Sequence, residues 1–172
     1  MAEPDPLKIL GALERNRVRF VLIGAAAARV AGAPIATEDI DVTPASDRAN
    51  IARLADALRE LHARLRSPSD KAGVPFPVDA EVLGTAQTWT LTTMYGDLDI
   101  AFTPSGTRGY RDLRREALRT RLGVGLHVNV ASLRDVIRSK EAAGRDKDLA
   151  QLPILRRTLE ELRRRDLKTR GR

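Results

Sequence analysis

The chain has 172 residues, of which 42% are hydrophobic and 31% charged, a composition typical of a globular protein with one domain. No apolar run approaches the roughly 20 residues that span a bilayer, and the acidic start MAEPDPLKIL is not expected to be a signal peptide. The lack of cysteine excludes disulfides and cysteine-ligated metals. We therefore expect a cytoplasmic protein without a membrane partner.

The net charge of +7 is concentrated near the C-terminus. Residues 132–172 hold 13 Lys and Arg against 7 Asp and Glu, whereas residues 1–131 are nearly balanced. A basic segment of this kind favours a polyanionic partner such as a nucleic acid or a nucleotide. The alternative is a solvated helix end without a partner, and the composition leaves both interpretations open.

Hydrophobic periodicity predicts the elements of the first half of the chain. Leucines at helical spacing indicate amphipathic helices, and short apolar runs that stop at glycine or alternate with polar residues indicate strands. The predicted elements are helix 6–16, strand 18–24, helix 25–31, strand 39–43 and helix 47–65, followed by a Pro- and Gly-containing loop at 66–77.

The second half predicts a hairpin, then helices around one more strand. The segments are strands 89–93 and 97–102, a basic helix at 107–118, strand 126–130, a helix opened by Ser132, and a last helix from about 145 to 165. Ser132 begins a Ser-x-x-acid capping box, and Pro153 is expected to restart the last helix as a first-turn proline. This order predicts a mixed α/β (α+β) domain with helices packed around one small mixed sheet.

Two carboxylates flank one isoleucine in the segment DIDV. Because side chains alternate along a strand, Asp39 and Asp41 should project from one face while Ile40 faces the core. In GDLDIAF, Asp97 and Asp99 share a face in the same way. If these strands are neighbours, three carboxylates cluster, and a divalent cation such as Mg²⁺ would relieve their repulsion. Helix caps or exposed strand residues are the alternative interpretation.

The segment VLIGAAAARV places a glycine turn between a strand and a short helix, upstream of this acidic pair. The first backbone N–H groups of a helix suit a phosphate group. A phosphate-binding turn, a carboxylate pair and a third acid on a later strand together fit two-metal phosphoryl or nucleotidyl transfer.

Two polar residues occupy core-facing helical positions in the C-terminal block. Lys140 follows the apolar face formed by Val136 and Ile137, and Asp148 leads the leucine series of the last helix. Such residues are costly to bury without partners. One interpretation pairs Lys140 with Asp148; the other places Lys140 on a triphosphate, with Asp148 orienting Lys140 or Arg145.

Three blocks of this sequence resemble the nucleotidyltransferase superfamily with a polymerase-beta-like palm. They are residues 21–42, 93–100 and 128–152, and they are most similar to the AbiEii-type nucleotidyltransferase toxins of bacterial toxin–antitoxin systems. The resemblance implies a palm-like core at 1–131 and a C-terminal helical segment at 132–172, within a single domain. Ala25 departs from the usual second Gly or Ser of the turn, and Ile35 stands where the family often has a basic residue.

The resemblance also implies roles for particular residues. Asp39, Asp41 and Asp99 would hold Mg²⁺ or Mn²⁺, and Asp99 would also draw the proton from the acceptor hydroxyl. The nucleotide would be bound by the residues Gly24, Ala25, Lys140, Arg145 and Asp148, and Lys140 would be a catalytic residue together with the three aspartates. Asp97 sits at a variable family position and is left out of the site.

The function implied is transfer of NMP from an NTP to the 3′ end of a tRNA by a toxin that a cognate antitoxin neutralises. A protein hydroxyl or an aminoglycoside-like small molecule is the alternative acceptor. A non-catalytic domain that binds RNA or a partner is the third possibility, although the joint presence of the three acids, Lys140 and Asp148 argues against it.

Overall fold

The computed structural model describes residues 3–171 as helices packed around one mixed sheet. The helices are α1 (Pro6–Arg15), α2 (Gly24–Val30), α3 (Arg48–Glu60), α4 (Ala80–Leu83), α5 (Tyr110–Glu116), α6 (Leu133–Ala143) and α7 (Asp146–Arg170). The strands are β1 (Phe20–Ile23), β2 (Ile40–Pro44), β3 (Arg64–Leu65), β4 (Thr88–Thr93), β5 (Gly96–Ala101), β6 (Leu118–Gly123) and β7 (Leu126–Val130). Within this range no helix combines the length and apolar character of a membrane span.

The strand order across the sheet is β3-β4-β5-β2-β1-β7-β6. The β2–β5 and β1–β7 pairs are parallel, and the remaining neighbours are antiparallel. The predicted mixed fold class is therefore confirmed. The central strands of the sheet are β5, β2 and β1. The acidic pairs lie in β5 and at the start of β2, and the glycine turn follows β1 directly.

The core forms because the apolar stripes of the amphipathic helices cover the sheet. Helices α1 and α3 contact each other, and each also contacts the sheet, while α6 packs against α2 and α7. The largest fully buried side chains are Phe20, Ile9, Leu10, Leu13, Leu22, Leu54, Leu58, Leu61, Leu83, Leu91, Leu98 and Ile100. These contacts hold the strand ends that border the cleft described below.

The predicted helix 47–65 is too long at its C-terminal end. Helix α3 ends with Leu61 as its cap, His62 adopts a left-handed φ of 53°, and the Ala63 N–H donates to the Leu58 carbonyl at 2.9 Å. This is a Schellman ending, which stops the helix and turns the chain. Residues 64–65 then form β3, where Leu65 pairs with Leu91 of β4.

Two further sequence predictions are wrong in the C-terminal half. The basic helix 107–118 is shorter, since α5 ends at Glu116 and Leu118 begins β6, which pairs with β7 through a turn containing Gly125 at φ 68°. Pro153 does not restart a helix: it lies inside α7. Its exposed position lets water reach the Leu149 carbonyl, which lacks its usual donor.

Candidate active site

The sheet register brings two of the predicted carboxylates side by side. Asp41 of β2 is the parallel register partner of Asp99 of β5, and Ile40, one residue from Asp41, is buried on the opposite face. Asp39 lies immediately before β2, outside the strand that the sequence predicts for it. The three carboxylates line one cleft of about 930 Å³.

Gly24 forms the turn between β1 and α2 and lies against Asp41. Its φ of 67° is in the left-handed region that favours glycine. A Cβ at this position would lie 2.6 Å from Asp41 Oδ2, which is closer than a Cβ atom approaches a non-bonded neighbour. The glycine therefore lets the turn and this carboxylate share the wall of the cleft, where Ala25 also lies.

The Asp41 carboxyl is strongly perturbed. Burial is the largest cause, and the nearby Asp99 and Asp39 add to it, raising the pKa of Asp41 to about 6. Burial also raises the pKa of Asp99, although the Arg66 guanidinium opposes that rise. Ionised Asp41 is thus an unfavourable group in the folded protein, as expected for a site that concentrates negative charge.

The pH dependence of stability should report this perturbation. Because the pKa of Asp41 is higher in the folded chain than the ordinary 3.8, the folded state binds the proton more tightly. Wild type should lose unfolding free energy relative to Asp41→Asn as the pH rises from about 4 to above 6, by at most about 3 kcal/mol. Urea titrations of both proteins across that range check this, and a difference that stays constant with pH would contradict it.

Arg66 is a site residue that the sequence prediction missed, because it lies at the start of the predicted loop 66–77. Its Nη2 donates to Asp99 Oδ1 at 2.9 Å and to the Leu91 carbonyl at 3.0 Å. Its Nε lies 3.1 Å from Asp97 Oδ2. The polar–apolar–polar alternation of Arg64, Leu65 and Arg66 is the strand signal that would have placed it beside the acids.

The donor chemistry of the carboxylates fits a hard cation, since Mg²⁺ and Mn²⁺ prefer oxygen ligands. The arrangement fits only in part. Among residues 3–171, no three His, Cys, Asp or Glu side chains are close enough together to hold a metal ion. Asp39 and Asp41 are without an ion pair in this range, whereas Asp99, the third predicted ligand, is paired with Arg66.

In the same cleft, Lys140 and Arg145 both pair with Asp148. Lys140 Nζ lies 3.0 Å from Asp148 Oδ1, and Arg145 Nε lies 2.6 Å from Oδ2. Gly144, left-handed at φ 63°, ends α6 and lets α7 return along it. The Asp148 side chain is 1% exposed; although burial alone would raise its pKa, the two cations hold it below the usual range.

The structure therefore contains the Lys140–Asp148 pair that the sequence left open. The pairing does not remove either residue from the cleft, which both of them line together with Arg145. Other polar lining residues were not predicted from the sequence: they are Thr37, Glu38, Thr88, Thr90, Thr103, Ser105, Thr107, Asp135, Ser139, Lys147 and Gln151. Single polar residues of this kind carry no spacing signal, and only the fold brings them to one surface.

Similarity to known proteins is found at the level of solved structures. The sequence matches no protein-family model and no curated protein. The solution structure of the antibiotic-resistance factor ANT(2'')-Ia, a nucleotidyltransferase, has a TM-score of 0.55 at 16% identity, covering 96% of this chain and 90% of that one. The crystal structure of ANT(2'')-Ia in complex with adenylyl-2''-tobramycin also has a TM-score of 0.55, at 15% identity and 97% coverage of both chains.

At these identities the likeness concerns the fold. It extends over nearly the whole of both chains, so it includes the strands that carry the acids and the C-terminal helices. The chain thus has the fold of the nucleotidyltransferases.

Proposed function

We propose that the chain is a metal-dependent nucleotidyltransferase that moves NMP from an NTP to an acceptor hydroxyl. The charge distribution of the cleft carries this proposal. Asp39, Asp41 and Asp99 come from β2, the residue before it, and β5, whereas Lys140 and Arg145 come from the end of α6 and the turn into α7, and all five line the same cleft. A triphosphate suits the two cations, and an attacking hydroxyl suits the carboxylates.

In the proposed reaction the acceptor oxygen forms a bond to the α-phosphorus, the bond from that phosphorus to the bridging oxygen breaks, and pyrophosphate leaves. Asp99 takes the hydroxyl proton. Lys140 and Arg145 bind the phosphates and balance the charge that develops on the leaving group. Mg²⁺ or Mn²⁺, bound by Asp39, Asp41 and Asp99, would supply Lewis-acid stabilisation of that charge.

For the acceptor we propose the 3′ end of a tRNA, as in the AbiEii-type toxins that the sequence resembles, with a cognate antitoxin as partner and a cytoplasmic location. The supporting structural observation is the end of α7. From Arg163 to Arg170 this helix is exposed, and Arg163, Arg164 and Arg165 form no ion pair within residues 3–171. Unpaired arginines on a projecting helix are available to phosphates.

The second candidate acceptor is a small aminoglycoside-like molecule. It is favoured by the likeness to ANT(2'')-Ia, whose crystal structure contains adenylyl-2''-tobramycin. The acidic side of the cleft would attract a cationic acceptor, because Glu38 lies there with the three aspartates. The same donor nucleotide and the same carboxylates would serve both acceptors.

One experiment separates these functions. The protein is incubated with Mg²⁺ and each α-labelled NTP in the presence of total tRNA, tobramycin or a protein extract, with Asp41→Asn as the inactive control. Label on tRNA supports the proposal, and label on tobramycin or protein supports another acceptor. No transfer to any acceptor, with NTP or RNA still bound, would identify a non-catalytic binding domain.

The basic end of α7 yields a separate prediction. Replacing Arg163, Arg164 and Arg165 with Gln should weaken tRNA binding and reduce the magnitude of its log–log salt slope by about 2, since each lost phosphate contact on a single strand removes about 0.7. Affinity for NTP should not change, because these residues do not line the cleft. Fluorescence anisotropy across a salt series measures both quantities.

The matched control replaces three exposed arginines of another helix, Arg111, Arg114 and Arg115 of α5. This variant has the same loss of charge but should keep most of the salt slope. Equal slopes in wild type and the α7 variant would mean that the end of α7 is a solvated helix end only.

A further inference from the structure

The Arg66 guanidinium supplies positive charge at Asp99, the third predicted metal ligand. It is half-buried, with 29% of its side chain exposed, and it makes ion-pair contacts of 2.9 Å with Asp99 and 3.1 Å with Asp97. Two carboxylates two residues apart on one strand thus share a single guanidinium. That charge offsets their mutual repulsion in the protein without a bound metal.

The backbone fixes the position of Arg66. Its N–H donates to the Thr90 carbonyl at 3.0 Å, which extends the β3–β4 pairing by one residue, and its Nη2 also donates to the Leu91 carbonyl. Thr90 is in turn the register partner of Asp99 on β5. A side chain anchored by these contacts reaches Asp99 at little conformational cost, whereas a free surface arginine would lose more entropy.

The charge that Arg66 supplies and the charge that a divalent ion would supply both act on the Asp99 carboxylate. Asp99 Oδ1 accepts the hydrogen bond from Arg66, and a carboxylate held by a guanidinium is a poorer ligand for a cation. The lack of three converging acidic ligands within residues 3–171 agrees with this arrangement.

We propose that Arg66 is a positioning residue that competes with the divalent cation for Asp99 and must release this carboxylate before the metal site is complete. The inference rests on the proposed function, in which Asp99 is a metal ligand. It explains why Asp99 is paired although Asp39 and Asp41 are not. It also assigns the β3–β4 edge of the sheet a part in the site, although Arg66 itself touches no reacting atom.

The test is the affinity for Mn²⁺, measured without nucleotide by calorimetry or by the electron paramagnetic resonance of the free ion. Arg66→Met should bind Mn²⁺ at least about tenfold more tightly than wild type, because a unit positive charge next to a ligand has been removed. Its melting temperature should be lower than that of wild type without metal, and the gap should close when Mn²⁺ saturates the site.

Arg64→Met is the matched control. Arg64 lies two residues before Arg66 and has the same charge, but its guanidinium donates to the Gly73 carbonyl at 3.1 Å and pairs with no carboxylate within residues 3–171. It should leave Mn²⁺ affinity within about twofold of wild type. In an Asp99→Asn background, Arg66→Met should no longer tighten binding, since the residue through which it acts is gone.

If Arg66→Met does not fold, wild type still gives an answer: adding Mg²⁺ should shift the Arg66 side-chain Nε–H resonance and leave that of Arg64 in place. Equal affinities in Arg66→Met and Arg64→Met, or an unmoved Arg66 resonance at saturating Mg²⁺, would overturn the inference alone. If neither wild type nor Arg66→Met binds metal, the inference and the proposed metal-dependent function both fail. Tighter Mn²⁺ binding by Arg66→Met, without nucleotide transfer by wild type to any acceptor, would support the inference and contradict the proposed nucleotidyltransferase function.

Discussion

Asp41→Asn should reduce nucleotide transfer by at least about a thousandfold, because it removes a central carboxylate from the proposed metal site and leaves the developing charge unstabilised. Asp41 lies between the Gly24 turn and Asp99, so no other acid occupies its position. The asparagine has nearly the same shape and keeps the contact with the turn. Single-turnover transfer with labelled NTP at saturating Mg²⁺ measures the loss.

The same variant should remain folded and be more stable than wild type at neutral pH. The asparagine carries no charge, so the variant removes the repulsion from Asp99 and Asp39 and the cost of burying an ionised carboxylate, the two effects that raise the pKa of Asp41. A loss of activity together with a stability gain distinguishes a functional carboxylate from a structural one, since a structural residue would cost stability when removed. Transfer at the wild-type rate by a folded Asp41→Asn protein would exclude Asp41 from the active site.

Lys140→Met is expected to have the second-largest effect, a loss of about 10²- to 10³-fold in transfer, because a positioned charge on the triphosphate is removed. The structure adds a stability effect. Asp148 is 1% exposed and would lose one of its two cations, while Arg145 stays bound to its other oxygen. We therefore expect about 1–3 kcal/mol of destabilisation, less than for a fully orphaned buried charge.

Two further variants separate the proposed contact of Lys140 with the nucleotide from its ion pair with Asp148. Lys71→Met removes the same charge from an exposed position and should change neither transfer nor stability beyond experimental error. Adding Asp148→Asn to Lys140→Met should recover part of the lost stability without recovering transfer. Full recovery of transfer in this double variant would mean that Lys140 acts through Asp148 and not on the nucleotide.

Local pattern was enough to predict much of the fold. The apolar runs and leucine spacings of β1, α1 and α3 depend on neighbours in sequence, and the Ser132 cap is confirmed by its acceptance of the Asp135 N–H at 3.1 Å. Elements decided by backbone geometry or distant partners were missed. His62 ends α3 in a left-handed conformation, which a histidine in the sequence does not predict. Strand β6 depends on its pairing with β7, which is not visible in the sequence of β6 itself.

The site residues likewise fall into those that the sequence pattern identified and those that depend on distant contacts. Asp39, Asp41 and Asp99 could be picked out from the predicted strand alternation together with the family resemblance, and all three line one cleft although Asp39 precedes β2. The Lys140–Asp148 contact depends on how α7 returns along α6, which the sequence allowed but did not require. Arg66 was not identified because its partners lie 31 and 33 positions away and the strand that precedes it, β3, spans only two residues.

The strand order has a consequence for synthesis on the ribosome. Asp39, Asp41 and Asp99 precede β7 in the chain, whereas Lys140, Arg145 and Asp148 follow it, and β7 reaches the sheet by pairing Val130 with Leu22. A nascent chain whose residues beyond 130 are still inside the exit tunnel can assemble its acidic strands but lacks Lys140, Arg145 and Asp148. Emergence of residues 131–151 from the tunnel, and not the folding of the acidic strands, then sets the moment at which the lining of the cleft is complete.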